Sequence, residues 1–230
     1  MLADLVTSYG DASMREALFD IMRTESKTRP FLHQASYIDA DTKLEFLLGQ
    51  LRRCEERDND IIDDRVDRRN RWDTILALSK LNDRRAIPHL MDYYRTDGGW
   101  VIRCLGYIQD PLAVDILLTV LYGGGQTNRV TLQDCLIGIK HSENPVFGPH
   151  LLHWLYLTRK GLMEEDVIRA LGATRNPIAV PDLIPLLARD DAYAPHERKP
   201  TIADRAAKAL TAIGTPEALA AVAAWREQRA

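Results

Sequence analysis

Apolar residues recur three and four positions apart through the C-terminal two-thirds of the chain, a spacing that places them on one face of a helix. One helix of each predicted pair carries a short phrase, a small residue followed by leucine. It occurs five times, as Ala77-Leu78, Cys104-Leu105, Cys135-Leu136, Ala170-Leu171 and Ala209-Leu210. A polar turn and a second apolar helix follow each copy. This recurrence is typical of a repeat protein in which neighbouring helix pairs bury a shared core.

The turns inside these pairs share one chemistry. Four of them hold a hydrogen-bond acceptor followed by proline, in Asp110-Pro111, Asn144-Pro145, Asn176-Pro177 and Thr215-Pro216. The acceptor can cap a free amide at a helix start, and proline suits the first helical turn because that position needs no amide donor. Each turn therefore predicts the start of a second helix. The first copy keeps an acceptor, Asp83, but has Arg84 in place of proline, which predicts a less rigid turn.

Two sets of aligned positions are predicted to be core. On the second helices the apolar face includes Leu90, Leu117, Leu151, Leu183 and Val222, and one turn further on Tyr94, Leu121, Leu155 and Leu187. On the first helices, the small position of the repeated phrase is predicted to be buried where two helices approach closely. Free cysteine fits such a place as well as alanine does. Cys104 and Cys135 are therefore predicted to be packing residues and not nucleophiles.

The outward positions of the second helices form the candidate functional surface. In stacks of helix pairs, one layer of helices lines a concave surface that commonly binds a partner, and we assign that layer to the second helices. The partner-binding residues predicted there are His89, Asp92, Asp115, His150, His153 and Asp182, and Trp100 is predicted at an edge between repeats.

A metal site on this surface is not expected. Two histidines three residues apart, His150 and His153, can share a metal ion, but such a site needs a third or fourth ligand. Asp182 is the one candidate for that role. We therefore expect surface histidines without a metal, and no cofactor.

Residues 1–64 lack the repeated phrase. They are predicted to form a divergent helical cap on a single continuous array that spans residues 65–230, because a stack of repeats needs its terminal face covered. Insertions between copies fall in residues 122–128 and 189–201, and such loops can add to a binding surface.

Two helix starts are predicted within the cap. Ser13-Met14-Arg15-Glu16 and Thr42-Lys43-Leu44-Glu45 both fit the reciprocal capping arrangement, in which the first and fourth side chains satisfy each other's amides. The predicted helices cover residues 13–23 and 42–57, with Pro30 in the connection.

Composition narrows the functional classes. The chain has 230 residues, 46% of them apolar, and a net charge of -3, so it has no overall attraction for phosphates and no basic patch is obvious. The densest charge run, residues 58–73, alternates acidic and basic side chains, which predicts a solvated helix face. No stretch reaches the roughly 18 apolar residues of a membrane span, and no leader pattern begins the chain. We expect a cytoplasmic protein without disulfides.

One family resemblance is carried by the last two copies. Arg169-Ala170-Leu171-Gly172 with Asn176-Pro177-Ile178-Ala179-Val180-Pro181 resembles a HEAT-like repeat, and so do residues 204–219, which read Asp204-Arg205-Ala206-Ala207-Lys208-Ala209-Leu210-Thr211-Ala212-Ile213-Gly214-Thr215-Pro216-Glu217-Ala218-Leu219. Repeats of this type occur in phycobilin lyases and many bacterial adaptor proteins. The resemblance covers about residues 65–230. It implies an all-α, armadillo-like solenoid, a right-handed stack of about five helix pairs.

The resemblance does not imply a single function, because such repeats also occur in scaffolds and nucleic-acid enzymes. We expect a non-catalytic adaptor or scaffold that binds a protein partner on the second-helix face. The alternatives are a bilin lyase-like or other small-ligand enzyme subunit, and a nucleic-acid-binding protein similar to HEAT-like DNA glycosylases. Asp92, Asp115 and Asp182 make the predicted face neutral to acidic, which disfavours nucleic acid because phosphate contacts dominate its affinity. No catalytic constellation is evident in the sequence.

Overall fold

The computed structural model of the chain describes residues 12–35, 38–58, 64–123, 129–158, 163–189 and 200–229. Every regular element in these ranges is helical and no strand occurs in them, which confirms the all-α prediction. No helix of the described residues is long and apolar enough to cross a membrane. The chain forms two compact units, Met1–Ile116 and Leu117–Ala230.

The first unit is built around one central helix. Its elements are α1 (Ala12–Thr24), a 3₁₀ helix (Ser26–Gln34), α2 (Ala40–Asp58), α3 (Asp64–Lys80), α4 (Ala86–Asp92), α5 (Tyr94–Leu105) and the start of α6 (Pro111–Tyr122). Helix α3 contacts the 3₁₀ helix, α2, α4 and α5. The fully buried side chains of this unit include Leu47, Ile75, Leu78, Leu90 and Leu105. Burial of this apolar face holds the marginal individual helices in place.

Both helices predicted in the N-terminal segment are present, as α1 and α2, and Pro30 lies in the 3₁₀ helix between them. The predicted cap of α2 is wrong. Asp39, not Thr42, caps this helix, because its carboxylate accepts hydrogen bonds from the Thr42 amide at 2.8 Å and the Thr42 hydroxyl at 2.7 Å. These hydrogen bonds hold the pKa of Asp39 below its usual range. The side chain of Ser13 lies outside those that the structure describes.

The second unit continues from the end of α6. Its further elements are α7 (Arg129–Ser142), a 3₁₀ helix (Pro145–Phe147), α8 (Gly148–Leu157), α9 (Glu164–Thr174), a 3₁₀ helix (Pro177–Ala179), α10 (Val180–Leu183), a 3₁₀ helix (Ile184–Ala188), α11 (Ile202–Ile213) and α12 (Pro216–Glu227). Helix α9 contacts α7, α8 and α11. The buried core includes Leu136, Phe147, Leu151, Leu171 and Leu210.

The turn chemistry predicted from sequence is confirmed at all five turns. The acceptor side chain bonds the amide two residues later in four of them, at 2.9 Å for Asp83 and Asp110 and at 3.0 Å for Asn144 and Asn176, and Thr215 bonds the amide three residues later at 3.2 Å. In four turns the residue before the acceptor has a left-handed backbone: Asn82, Glu143, Arg175 and Gly214. Such a residue follows the first helix, and Asn144, Asn176 and Thr215 then cap the next helical segment. In the first copy the second helix begins at Ala86, two residues after the turn residue Arg84.

The small position of the repeated phrase is buried in every copy, with Ala77, Cys104, Cys135, Ala170 and Ala209 each at most 4% exposed. Burial raises the pKa of the Cys135 thiol to about 12, and its Sγ donates to the Leu117 carbonyl oxygen at 3.2 Å. A thiol in this state is a poor nucleophile at neutral pH. Packing, as predicted, accounts for Cys135.

The second helix of the first copy departs from the prediction. It ends at Asp92, and the chain begins a new helix, α5, at Tyr94. Tyr94 is therefore 37% exposed and does not belong to the core, whereas Tyr93 is 8% exposed. The break shifts the face that each residue presents, because a continuous helix would have kept Tyr94 above Leu90.

Helices α9 and α11 approach each other closely at Gly172, where an added Cβ would lie 2.7 Å from Ala209 Cα and 2.9 Å from Ala209 Cβ. Replacing Gly172 with valine is therefore expected to lower the free energy of unfolding by about 1–3 kcal/mol, measured by urea denaturation. Gly49→Val is the control, because a Cβ there meets no atom within 4 Å, and its expected change is below about 0.5 kcal/mol. Equal losses in the two variants would contradict the close approach.

Candidate functional site

Two tryptophans form an ordered pair at the surface of the first unit. Trp72 on α3 and Trp100 on α5 stack with their ring centroids 5.5 Å apart and an interplanar angle of 27°. The indole Nε1 of Trp100 donates to the Trp72 carbonyl oxygen at 3.0 Å. Trp72 is nevertheless 36% exposed. The pair therefore presents a large aromatic surface whose orientation is fixed by hydrogen bonding and stacking.

A buried ion pair holds the Trp72 indole in place. The Asp97 carboxylate accepts from Arg71 Nε at 2.7 Å and from Trp72 Nε1 at 2.8 Å, and the Thr96 hydroxyl also donates to it at 3.2 Å. The Arg71 and Asp97 side chains are 10% and 4% exposed. Asp97 has a non-helical backbone (φ -125°, ψ 31°) inside α5, so the helix is kinked at the residue that makes these bonds.

Two cavities adjoin the tryptophan pair. One, of about 500 Å³, is bordered by Arg68, Gly98 and Gly99, and the other, of about 520 Å³, is bordered by Arg68, Arg69 and Asp73. Both volumes lie within the range of small-ligand and side-chain pockets. We call Trp72, Trp100, Arg68, Arg69 and the supporting Asp97 the tryptophan site. It can stack an apolar or planar group and attract a carboxylate beside it.

Of the residues predicted as partner-binding, the first unit holds four. Trp100 belongs to the tryptophan site, whereas His89 and Asp92 are exposed on α4 and Asp115 is exposed on α6. The prediction did not include the other members of that site.

The charge run of residues 58–73 includes Arg71, the ion-pair partner of Asp97. Arg71 was predicted to lie on a solvated face, and that expectation is wrong, because Arg71 is 8% exposed and paired with Asp97. Residues 59–63 of the run lie outside the described residues. The sequence signal that marks the site is Trp72 beside arginines together with Asp97-Gly98-Gly99, a local helix-breaking pattern.

The second unit holds the other three predicted residues. His150 and His153 lie on α8 and Asp182 lies on α10, with His153 and Asp182 exposed. The structure pairs His150 with Tyr122, which the prediction missed: the Tyr122 hydroxyl and His150 Nδ1 are hydrogen-bonded at 2.7 Å, and the rings meet edge to face. In the described part of the chain, no three His, Cys, Asp or Glu side chains come together as a metal site requires.

Residues 124–128 of the first predicted loop and 190–199 of the second lie outside the described ranges. Neither a protein-family model nor a curated protein matches the chain.

Proposed function

We propose that this chain is a non-catalytic adaptor that binds a protein partner, and that the tryptophan site is a principal anchor for it. The stacked, hydrogen-bonded pair of Trp72 and Trp100 carries this proposal. Tryptophan and arginine dominate the residues that contribute most to protein–protein affinity. Rings that are already held in one orientation lose little conformational freedom when a partner binds.

The charges around the rings favour one kind of partner segment. Arg69 is exposed and forms no ion pair with a described residue, and the guanidinium of Arg103 lies 5.3 Å from the centroid of the Trp100 ring. A segment with an acidic side chain next to an apolar one matches this arrangement, because the apolar group can stack on the indoles while the carboxylate meets an arginine.

The chemistry of Asp97 also favours binding over catalysis. Its two carboxylate oxygens already accept hydrogen bonds from Arg71 and Trp72. A general base needs a lone pair directed at substrate, whereas the carboxylate oxygens of Asp97 accept hydrogen bonds from protein side chains. We assign Asp97 a positioning role.

We also propose that the helix pairs form a HEAT-like, right-handed solenoid of about five repeats behind a cap of residues 1–64. Two observations support this. The turns repeat one geometry, a left-handed residue followed by a capping acceptor. First helices of successive pairs also lie in contact, α3 with α5 in the first unit and α9 with both neighbours in the second.

Within that arrangement, the outward residues of the second helices are proposed as further partner contacts. They are His89, Asp92 and Asp115 in the first unit and His150, His153 and Asp182 in the second. Tyr122 and Tyr156 join the set in the second unit, since they are 51% and 70% exposed and tyrosine is enriched at interfaces.

Selection from a library of short random peptides tests the proposal with a defined probe. We expect the wild-type chain to enrich peptides that carry an acidic residue next to an aromatic or aliphatic one. Trp100→Ala should weaken the best peptide by about 2 kcal/mol, roughly thirtyfold, because it removes half of the aromatic surface. Arg69→Gln should weaken acidic peptides more than their amide analogues. Both effects are measured by fluorescence polarisation.

Trp225→Ala is the matched control, because Trp225 lies in the second unit and also has an arginine, Arg229, over its ring, at 5.0 Å. It should leave peptide affinity unchanged. Trp100→Phe keeps an aromatic ring and should retain affinity within about threefold. A peptide set without acidic residues, or equal losses in Trp100→Ala and Trp225→Ala, would refute the assignment to the tryptophan site.

A further inference from the structure

A cavity of the second unit has a different chemistry from the tryptophan site. It has a volume of about 410 Å³ and lies against three first helices, α7, α9 and α11. In the part of the chain that the structure describes, four cationic side chains line it: Lys140, Arg169, Arg205 and Lys208. The rest of this described lining consists of small residues, namely Gly172, Ala173, Pro200, Ala209 and Ala212. We call this the basic cavity. Among the described residues, no acidic side chain is part of its lining.

The close approach of α9 and α11 concentrates these charges. Arg169 and Lys208 occupy the same place in successive copies, two residues before the repeated leucine. The backbones of α9 and α11, which carry these two residues, come close together where Gly172 lies against Ala209. Like charges brought together on neighbouring helices repel one another, and a bound anion would offset that repulsion.

The neighbouring acids neutralise only part of the positive charge. Arg169 is paired with Asp166, and Arg205 Nη2 lies 2.6 Å from Glu165 Oε2. Lys140 and Lys208 are exposed, and neither forms an ion pair with a described residue. Two ammonium groups therefore remain for an anion that enters the cavity.

Arg205 is less exposed than the other three cations of the cavity wall. Its side chain is 13% exposed, and its Nη2 atom lies beside the Glu165 carboxylate. The contact with Glu165 holds this guanidinium at the wall of the cavity, where it adds to the positive charge.

We propose that the basic cavity binds a small anion with two or three linked phosphate groups. Cations from three helices can contact several phosphates at once, and the small lining residues let such a group approach the backbone. A nucleic acid is the weaker fit, because it needs a basic stripe that follows a long backbone, whereas these cations surround one cavity on a chain with a net charge of -3.

Isothermal titration of the full chain with inorganic tripolyphosphate at low ionic strength tests this proposal. We expect saturable binding of one molecule per chain and a rise in melting temperature with ligand concentration. The double variant Lys140→Gln with Lys208→Gln should weaken the affinity about tenfold or more, because it removes two charge-assisted contacts. Lys27→Gln, an exposed lysine of the first unit, is the control and should bind as the wild type does.

A second pair of variants keeps the test independent of stability. Ala212 is exposed and lines the cavity, so Ala212→Glu should abolish binding by placing a carboxylate there, while Ala212→Gln, of equal size, should retain it within about threefold. The proposal fails if tripolyphosphate does not saturate the wild type, if Lys27→Gln weakens it equally, or if an oligonucleotide binds and tripolyphosphate does not. None of these results bears on the tryptophan site.

Discussion

Replacing Asp97 with alanine is expected to lower the free energy of unfolding by about 3–5 kcal/mol. The variant leaves the Arg71 guanidinium in a buried position without the carboxylate that now accepts from it at 2.7 Å. It also removes the acceptor of the Trp72 indole, at 2.8 Å. Urea denaturation followed by circular dichroism measures the loss. Trp72 should become more mobile at the same time, which tryptophan fluorescence anisotropy will detect.

The double variant Arg71→Met with Asp97→Asn distinguishes the effect of an unpaired buried charge from the effect of losing the hydrogen bond to Trp72. It removes both ionised groups, keeps an acceptor oxygen for Trp72, and is expected to recover at least about 2 kcal/mol relative to Asp97→Ala, because much of the single variant's loss is an uncompensated charge. If the double variant is as unstable as Asp97→Ala, the ion pair is not the source of the loss. Peptide binding by the stable double variant then reports on ring position alone.

Local chemistry explains which parts of the fold were predictable from sequence. The capping acceptors, such as Asn144 and Asn176, act on amides two residues away, so a short stretch of sequence contains both partners. The burial of the small position in the repeated phrase was also predictable, because each copy independently has a small residue there. Copies with the same pattern remove the ambiguity between helix and strand that a single short apolar segment would have.

Long-range pairing explains what was missed. Arg71 and Asp97 are 26 residues apart, and no periodicity marks that one will be buried against the other. The break after Asp92 was missed because the apolar spacing continues through it. At Asp39, two acceptable caps compete within three residues, and the carboxylate prevails because it accepts two hydrogen bonds from Thr42.

The basic cavity was missed for a related reason. Its cations come from three helices and are separated by up to 68 positions, from Lys140 to Lys208, so no window of sequence looks basic. The prediction of no obvious basic patch holds for any continuous run of sequence. It does not hold for a cluster of cations that helix packing brings together. The close contact at Gly172 brings charged residues from two helices together in one site.

Replacing Arg189 with alanine is the second change for which a large loss is expected, about 3–5 kcal/mol in the free energy of unfolding. The Glu164 side chain is fully buried, and its two oxygens contact Arg189 Nη1 at 2.6 Å and Nη2 at 3.2 Å. The variant keeps this carboxylate in the protein interior without its guanidinium partner. Arg189 also joins two helices, because its carbonyl oxygen accepts from the Ala203 amide of α11 at 2.9 Å while its side chain bonds the first residue of α9.

Two further variants distinguish the ion pair from simple loss of packing. Arg189→Lys keeps a positive charge but cannot make the bidentate contact, so it should lose less than Arg189→Ala. Arg189→Met with Glu164→Gln removes both charges and should be the most stable of the three. If Arg189→Met alone matches that double variant, the buried carboxylate is not responsible. Because α9 and α11 are also two walls of the basic cavity, Arg189→Ala should weaken tripolyphosphate binding as well, and the double variant should restore it.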